Sequence, residues 1–455
     1  MTNQKQRLGK VPSVNSLHGM RAFYVLWIGQ FVSIFATRMT RFAITLWAWE
    51  LTGTVTGFVM VGIISYIPGV ILSTFAGTLI DRWNRKLVLA LSDTGAAIST
   101  ICLLYLFSTG KAEVWHLYIT GAFSSAFGSF QYPAYAAVVT TMVPKEQYSR
   151  ANGMDSVIRS ASGIAAPLLA GALLAIIDIP TIMVIDLITF VFAIFCLAVV
   201  FIPQPDSSKE AQKGKGSIWS ETVYGFQYIL NRQSLTSIFL LFTLSNIGNA
   251  FCFPMITPMI LAKTADDSVI LGMARSAGSF GFLAGGLLIS AWSGPKKRIY
   301  VIYGSFILQA ILGGFVLGSA WSLPGWLIGS FFLAAFNPII NAAYIAILQA
   351  KVEPDLQGRI FGIENSVSTI SFPLGQLAAG WLADNIFEPA MLSNGPLANT
   401  LGPLVGTATG AGIGVVIMLG GVIGLFKAVI GYLIKPIREI ETLLPDHDVL
   451  DNPTN

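Results

Sequence analysis

Apolar runs of about 20 residues recur from one end of the chain to the other, and that recurrence restricts the fold more than any motif. Each run is long enough to cross the roughly 30 Å hydrocarbon core of a bilayer as a helix. Of the 455 residues, 54% are hydrophobic and only 11% are charged, against about 25% charged in a soluble globular protein. Inside lipid every backbone N–H and C=O must be satisfied internally, which leaves helices or closed barrels. Barrel strands alternate over about 10 residues; these runs are longer and continuously apolar. The pattern predicts an all-α membrane protein with twelve transmembrane helices. They fall at Phe23–Trp49, Val55–Ile80, Leu87–Thr109, Val114–Val143, Asn152–Ile177, Thr181–Ile202, Ser234–Leu261, Ile270–Trp292, Ile299–Ser319, Pro324–Val352, Gly362–Ile386 and Gly406–Ile434.

Charge placement predicts the orientation. Counted over the termini, the connecting segments and the span ends beside them, 20 Lys and Arg fall on one side and two, Lys111 and Lys263, on the other. By the positive-inside rule the richer side is cytoplasmic, and both termini lie there. The polar stretch Met1–Arg21 lacks the short apolar region of a cleaved leader. Between spans six and seven, QPDSSKEAQKGKGS reads as a flexible linker, and SIWSETVYGFQYIL as a helix in the membrane interface. The expected organisation is a cytoplasmic segment (1–22), a six-helix bundle (23–202), a cytoplasmic linker (203–233), a second six-helix bundle (234–434) and a cytoplasmic tail (435–455). Cys102, Cys196 and Cys252 sit inside apolar runs without metal-ligand spacing and read as small packing residues.

The two bundles are related in sequence. Ala126–Gly153 and Ala335–Gly362 align at one offset of 209, which pairs Phe127 with Phe336, Tyr135 with Tyr344, Arg150 with Arg359 and Gly153 with Gly362. The same offset carries Gly77 to Gly286, Trp83 to Trp292 and Gly171 to Gly380. A register held over most of each half implies duplication of a large unit, and hence two pseudo-symmetric bundles.

Between spans two and three the chain reads GTLIDRWNRK (Gly77–Lys86). This loop resembles the G-x-L-a-D-r-x-G-r-k signature of the major facilitator superfamily, with Asn84 where Gly is usual. SRMTRFAITLW in span one, LVGTATGAGIG before span twelve and the tail IREIETLLPD resemble its macrolide-efflux and enterobactin-exporter branch. The resemblance implies that Asp81 meets the start of span eleven and holds the cytoplasmic side shut. A carboxylate there would gain from a helix N-terminus and a nearby Arg. The expected gating set is Gly77, Asp81, Arg82, Arg85, Arg150 and Arg359. In the second copy Ser290 stands where Asp81 does, so any second latch is weaker. Span five carries SGIAAPLLAG, similar to the superfamily's antiporter signature through Ser162, Ala166, Pro167 and Gly171. Small residues four apart allow close helix packing, and Pro167 allows a bend.

Ionisable groups inside membrane spans are costly and are read first as functional. Arg38 and Arg41, three apart, share a face of span one, with Asp186 and Glu50 as candidate partners. Asp93 and Asp155 are further acids, and Lys427 reads as snorkelling or packing. By the resemblance, spans one, four, seven and ten line a central cavity. The expected substrate or coupling residues are Arg38, Arg41, Gln131, Tyr135, Asp186, Asn246, Asn249, Asn337, Asn341 and Tyr344. An apolar wall bearing a few amides and aromatics suits an amphipathic ligand. Span four has no basic residue where many drug antiporters have Arg, and span one has Thr37 near where many branch members place an acid.

These features predict a secondary exporter of amphipathic small molecules (drug, macrolide or siderophore-like) that works by alternating access. By the resemblance it is a proton antiporter of a bacterial-type inner membrane. No G-x-x-x-x-G-K-[ST] loop is present, and His18, His116 and His447 form no catalytic arrangement, so enzyme activity is not expected. No cofactor or metal is expected. The expected partners are the substrate, protons and lipids, with no nucleic acid, and the protein is expected to be a monomer. A non-transporting sensor or accessory subunit, and a lipid flippase, are the competing readings.

Overall fold

In a computed structural model the chain is entirely helical through its described apolar segments. The structure describes residues 19–144, 147–203, 227–291, 297–352 and 354–443. The first six long helices are α1 (Gly19–Thr52), α2 (Val55–Arg82), α3 (Arg85–Ser108), α4 (Val114–Met142), α5 (Tyr148–Leu174) and α6 (Ile179–Val199). Then follow α7 (Gln233–Cys252), α8 (Ile256–Thr264), α9 (Ser268–Ala291) and α10 (Arg298–Leu308), which widens into a π segment, Gln309–Phe315, before α11 (Val316–Ser319). The last elements are α12 (Leu323–Lys351), α13 (Pro354–Leu382) with a π segment Ala383–Phe387, α14 (Glu388–Met391), α15 (Ala398–Val405), α16 (Ala411–Leu433), α17 (Lys435–Arg438) and α18 (Ile440–Leu443).

Among the described residues, eight helices are long and apolar enough to cross a membrane. They are α1, most of α2, α3, α6, α7 with α8, α10 through α11, α12 and α16. α4, α9 and α13 have the length, but their sequences hold more small, polar or charged residues, such as Arg275 in α9, and in α5 the described apolar stretch is Ser160–Leu174. Lipid as solvent explains what the apolar helices expose. Ile188, Val191 and Phe195 make an exposed stripe along α6, and Phe426, Val429 and Leu433 repeat it on α16. Apolar faces left outward in this way belong against acyl chains, whereas the inner faces carry small residues and the few polar groups.

Two compact units arise, and they do not follow the chain order. One comprises Met1–Thr40, Ile64–Ser162 and Ile179–Gln212; the other comprises Arg41–Ile63, Gly163–Asp178 and Lys213–Asn455. The end of α1, the start of α2 and the end of α5 therefore belong with the second half of the chain. The core of the first unit joins Phe23, Leu26, Leu89, Val138 and Leu197 from α1, α3, α4 and α6. That of the second joins Ile238, Phe242, Phe306, Tyr344 and Ile363 from α7, α10, α12 and α13. Close helix packing in the second unit needs glycine: a Cβ on Gly281 or Gly285 of α9 would collide with backbone carbonyls of Phe331 and Ala335 on α12.

Candidate functional site

The first unit holds a buried carboxylate bridging three helices. Asp93 on α3 is 5% exposed. Gln30 on α1 donates to its Oδ2 at 2.8 Å, and Gln131 on α4 donates to its Oδ1 at 2.7 Å. Both partners are neutral amides. Each carboxylate oxygen accepts one amide N–H. Adding a proton turns one oxygen into an O–H donor and a poorer acceptor, which favours a turn of the amide that faces it. Protonation of Asp93 is thereby mechanically connected to α1 and α4. Sequence reading named Gln131, on α4, among the candidates and did not name Gln30. Its only signal is an amide within an apolar run, 63 positions from its partner.

Asp186 on α6 is also buried and accepts from Thr37 on α1 at 2.8 Å and Thr100 on α3 at 3.4 Å. Thr37, a neutral residue on α1, here serves an acid on another helix. Arg38 is half-buried and Arg41 exposed. Tyr135 is buried in the first unit's core.

In the second unit the candidate amides form two short relays. Asn246 on α7 donates to Ser368 Oγ on α13 at 2.7 Å, and Ser368 donates to Glu364 at 3.1 Å. Asn249 donates to Asn337 Oδ1 on α12 at 3.3 Å, and Asn337 donates to the Leu333 carbonyl at 2.9 Å. Asn341 is exposed. Tyr344 is buried with its ring 3.5 Å from that of Phe242 and stacked on it. Glu364 was missed, although reading intramembrane acids in span eleven as functional would have found it.

Lys427 on α16 does not snorkel: it is 2% exposed. Its Nζ donates to Ser245 Oγ at 2.8 Å and lies 4.0 Å from the Phe306 ring centroid. Beside it is a small cavity lined by Asn249, Cys252, Gln309, Leu333 and Gly421. Gln309 opens the π segment and donates to the Leu333 carbonyl at 2.8 Å. It stands 209 positions after Thr100, so the offset relates a partner of buried Asp186 to a neighbour of buried Lys427.

The expected antiporter-like motif packs as its composition implies. Ser162 and Ala166 are buried. A Cβ on Gly171 would strike the Ser268 carbonyl of α9, and one on Gly272 would lie 2.6 Å from the Pro167 carbonyl oxygen. Ser268 Oγ donates to the Gly171 carbonyl at 3.0 Å, and Ser276 Oγ to the Ile164 carbonyl at 2.5 Å. The two helices meet backbone to backbone.

Of the expected gating set, the side chains of Gly77, Asp81, Arg82 and Arg359 lie outside the described residues. Arg85 is half-buried at the start of α3. Lys86 donates to the carbonyls of Ala198 and Val200 at 2.9 and 2.8 Å, a cation at the end of α6. Asn84 caps α3 by accepting from the Leu87 N–H at 3.2 Å, which gives this departure from the usual Gly a local purpose. The Arg150 guanidinium lies 5.7 Å from the centre of the Tyr24 ring.

The family model described as Major Facilitator Superfamily matches residues 26–376. The chain belongs to that superfamily, and is a secondary-active small-molecule transporter rather than an enzyme. Macrolide efflux protein A of Streptococcus pyogenes is 25% identical over 375 residues, covering 80% of this chain and 90% of that protein. The multidrug efflux pump Tap of Mycobacterium bovis is 24% identical over 331 residues, 70% of this chain and 76% of that one. Among solved structures, the nucleoside transporter NupG matches with a TM-score of 0.64 at 13% identity, covering 91% of this chain and 100% of that one. An inward-facing bacterial homologue of the iron transporter ferroportin matches at 0.60 and 15%, over 90% and 99%. These likenesses are to the fold.

Proposed function

We propose that this protein is a proton-coupled exporter of amphipathic small molecules of the drug, macrolide or siderophore kind, within the macrolide-efflux branch of its superfamily. It has twelve membrane helices in two six-helix bundles and alternates access to a site between them. It acts as a monomer in a bacterial inner membrane, with both termini in the cytoplasm. The observation that carries the coupling is Asp93, buried and held only by Gln30 and Gln131 among the described residues. Taking up a proton there changes a buried charge and weakens or turns an amide contact to α1 or α4, the helices expected to line the cavity. Substrate and proton then compete through the position of those helices.

Export as the direction is supported by the close α5–α9 packing at Gly171 and Gly272 and by relatives that carry efflux names. The amides Asn246, Asn249, Asn337 and Asn341, with Gln131, Tyr135 and Tyr344, form the substrate wall, while Arg38, Arg41 and Asp186 tune its charge. The test is uptake by everted vesicles of a panel of macrolides, cationic drugs and siderophores under an imposed pH gradient. Accumulation of one class that collapses with the gradient supports the reading. Accumulation of none, despite binding of the same compounds, would sink it in favour of a sensor.

A further inference from the structure

The C-terminal end of α13 is fastened to the start of α2 by one carboxylate. Asp384 accepts from the N–H of Val55 at 2.9 Å through one oxygen and from that of Thr56 at 2.7 Å through the other. These are the first two residues of α2, whose N–H groups have no partner within the helix. An anion placed there also gains from the positive end of the helix, and the bonds are charge-assisted. One turn earlier, Gly380 lies flat against the same residue: a Cβ on it would come within 3.2 Å of Thr56 Cα.

The contact is more than a local cap. Thr54 already caps α2 by accepting from the Gly57 N–H at 3.2 Å, so the helix start does not need Asp384 to form. On the other side, Glu388 accepts from the N–H groups of Gly410 and Ile413 at 3.2 and 2.9 Å. That ties the segment after α13 to α16 independently. The Asp384 bonds are therefore the part that can open without unravelling either partner.

We infer that Asp384 is a gating residue that latches the start of α2 to the end of α13. This rests on the alternating-access reading above. The resemblance implies a carboxylate, Asp81, near the other end of α2 that meets the start of the same partner helix. The two latches then use the same pair of helices at opposite ends with roles exchanged: α2 supplies one carboxylate and α13 is followed by the other. The two ends cannot both be open when access alternates, so weakening Asp384 favours the state in which this end is open.

The test uses the full-length protein with its three cysteines replaced and spin labels on Cys introduced at Leu51 and Asn385, both exposed. Wild type should give a short and a long inter-label distance whose ratio responds to pH and substrate. Asp384→Asn should lower the short-distance share relative to the long by about 10- to 100-fold, and Asp384→Glu should restore part of it. Val55→Pro removes one of the two N–H donors at a position where Pro suits a helix, and should shift the ratio the same way by about 3- to 10-fold. Two distances in wild type with an unchanged ratio in both Asp384→Asn and Val55→Pro would overturn the latch alone. A single wild-type distance under every pH and substrate condition would overturn the alternating-access reading itself.

Discussion

Adding one methyl group to Gly272 should prop open the contact between α5 and α9. The Cβ would sit 2.6 Å from the Pro167 carbonyl oxygen, where ordinary contact begins near 3.4 Å, so the backbones must part by about 0.8 Å. The obstructing atom is backbone and cannot swing aside. Overpacking of this kind costs about 1–3 kcal/mol, which converts to a shift of roughly 5- to 150-fold between the form with α5 and α9 in contact and the form with them apart. Gly171→Ala meets the Ser268 carbonyl even more closely and should do at least as much. The assay is the distance distribution between spin labels at Ile176 and Ala265, near the ends of α5 and α8, with transport rate measured alongside. Both variants should broaden toward longer distances and transport more slowly. If Gly272→Ala kept the wild-type distribution and rate, the close packing would be no part of the cycle and the reasoning from backbone contact would fail.

Lys427→Met should leave thermal stability unchanged or raise it by about 1–4 kcal/mol, because a buried ammonium held by one hydroxyl and a ring face offsets its desolvation poorly. A melting temperature several degrees lower in detergent would show that the charge is needed. Glu388, the first residue of α14, has its carboxyl pushed above the ordinary value of 4.5 by burial, against the opposing effects of the Ile413 and Gly410 N–H groups and Lys263. The folded protein then holds this proton more tightly than the unfolded chain, so its contribution to stability falls as pH rises from about 4.5 through the raised value, and is level above it. Glu388→Gln should flatten that part of the stability–pH curve; an identical slope in the variant would contradict the assignment.

The helices were legible because lipid-facing residues must be apolar along their whole length: span six was expected at Thr181–Ile202 and α6 runs Ile179–Val199. The packing role of SGIAAPLLAG was legible from its small side chains, but its partner α9 was not, since nothing local names a helix about 100 residues away. The same limit hid Gln30 as a partner of Asp93, and hid Asp384 as an acceptor for Val55 and Thr56, 329 and 328 positions away. The π segment at Gln309–Phe315 leaves no mark in composition, because its widened turn answers to Leu333 on α12. Charge was the better guide: Asp93 and Asp186 were flagged by the cost of burial and both are buried, while Lys427, read as snorkelling or packing, is buried as well. How those charges divide among helices required the three-dimensional arrangement.

Proton release on substrate binding addresses the coupling claim most directly. Purified protein in weakly buffered detergent solution would be mixed with a transported macrolide or drug while a pH dye is read. Wild type should release protons on binding, and Asp93→Asn should bind the same compound with little or no release. Release of equal size from Asp93→Asn would place the coupling proton elsewhere and contradict the account.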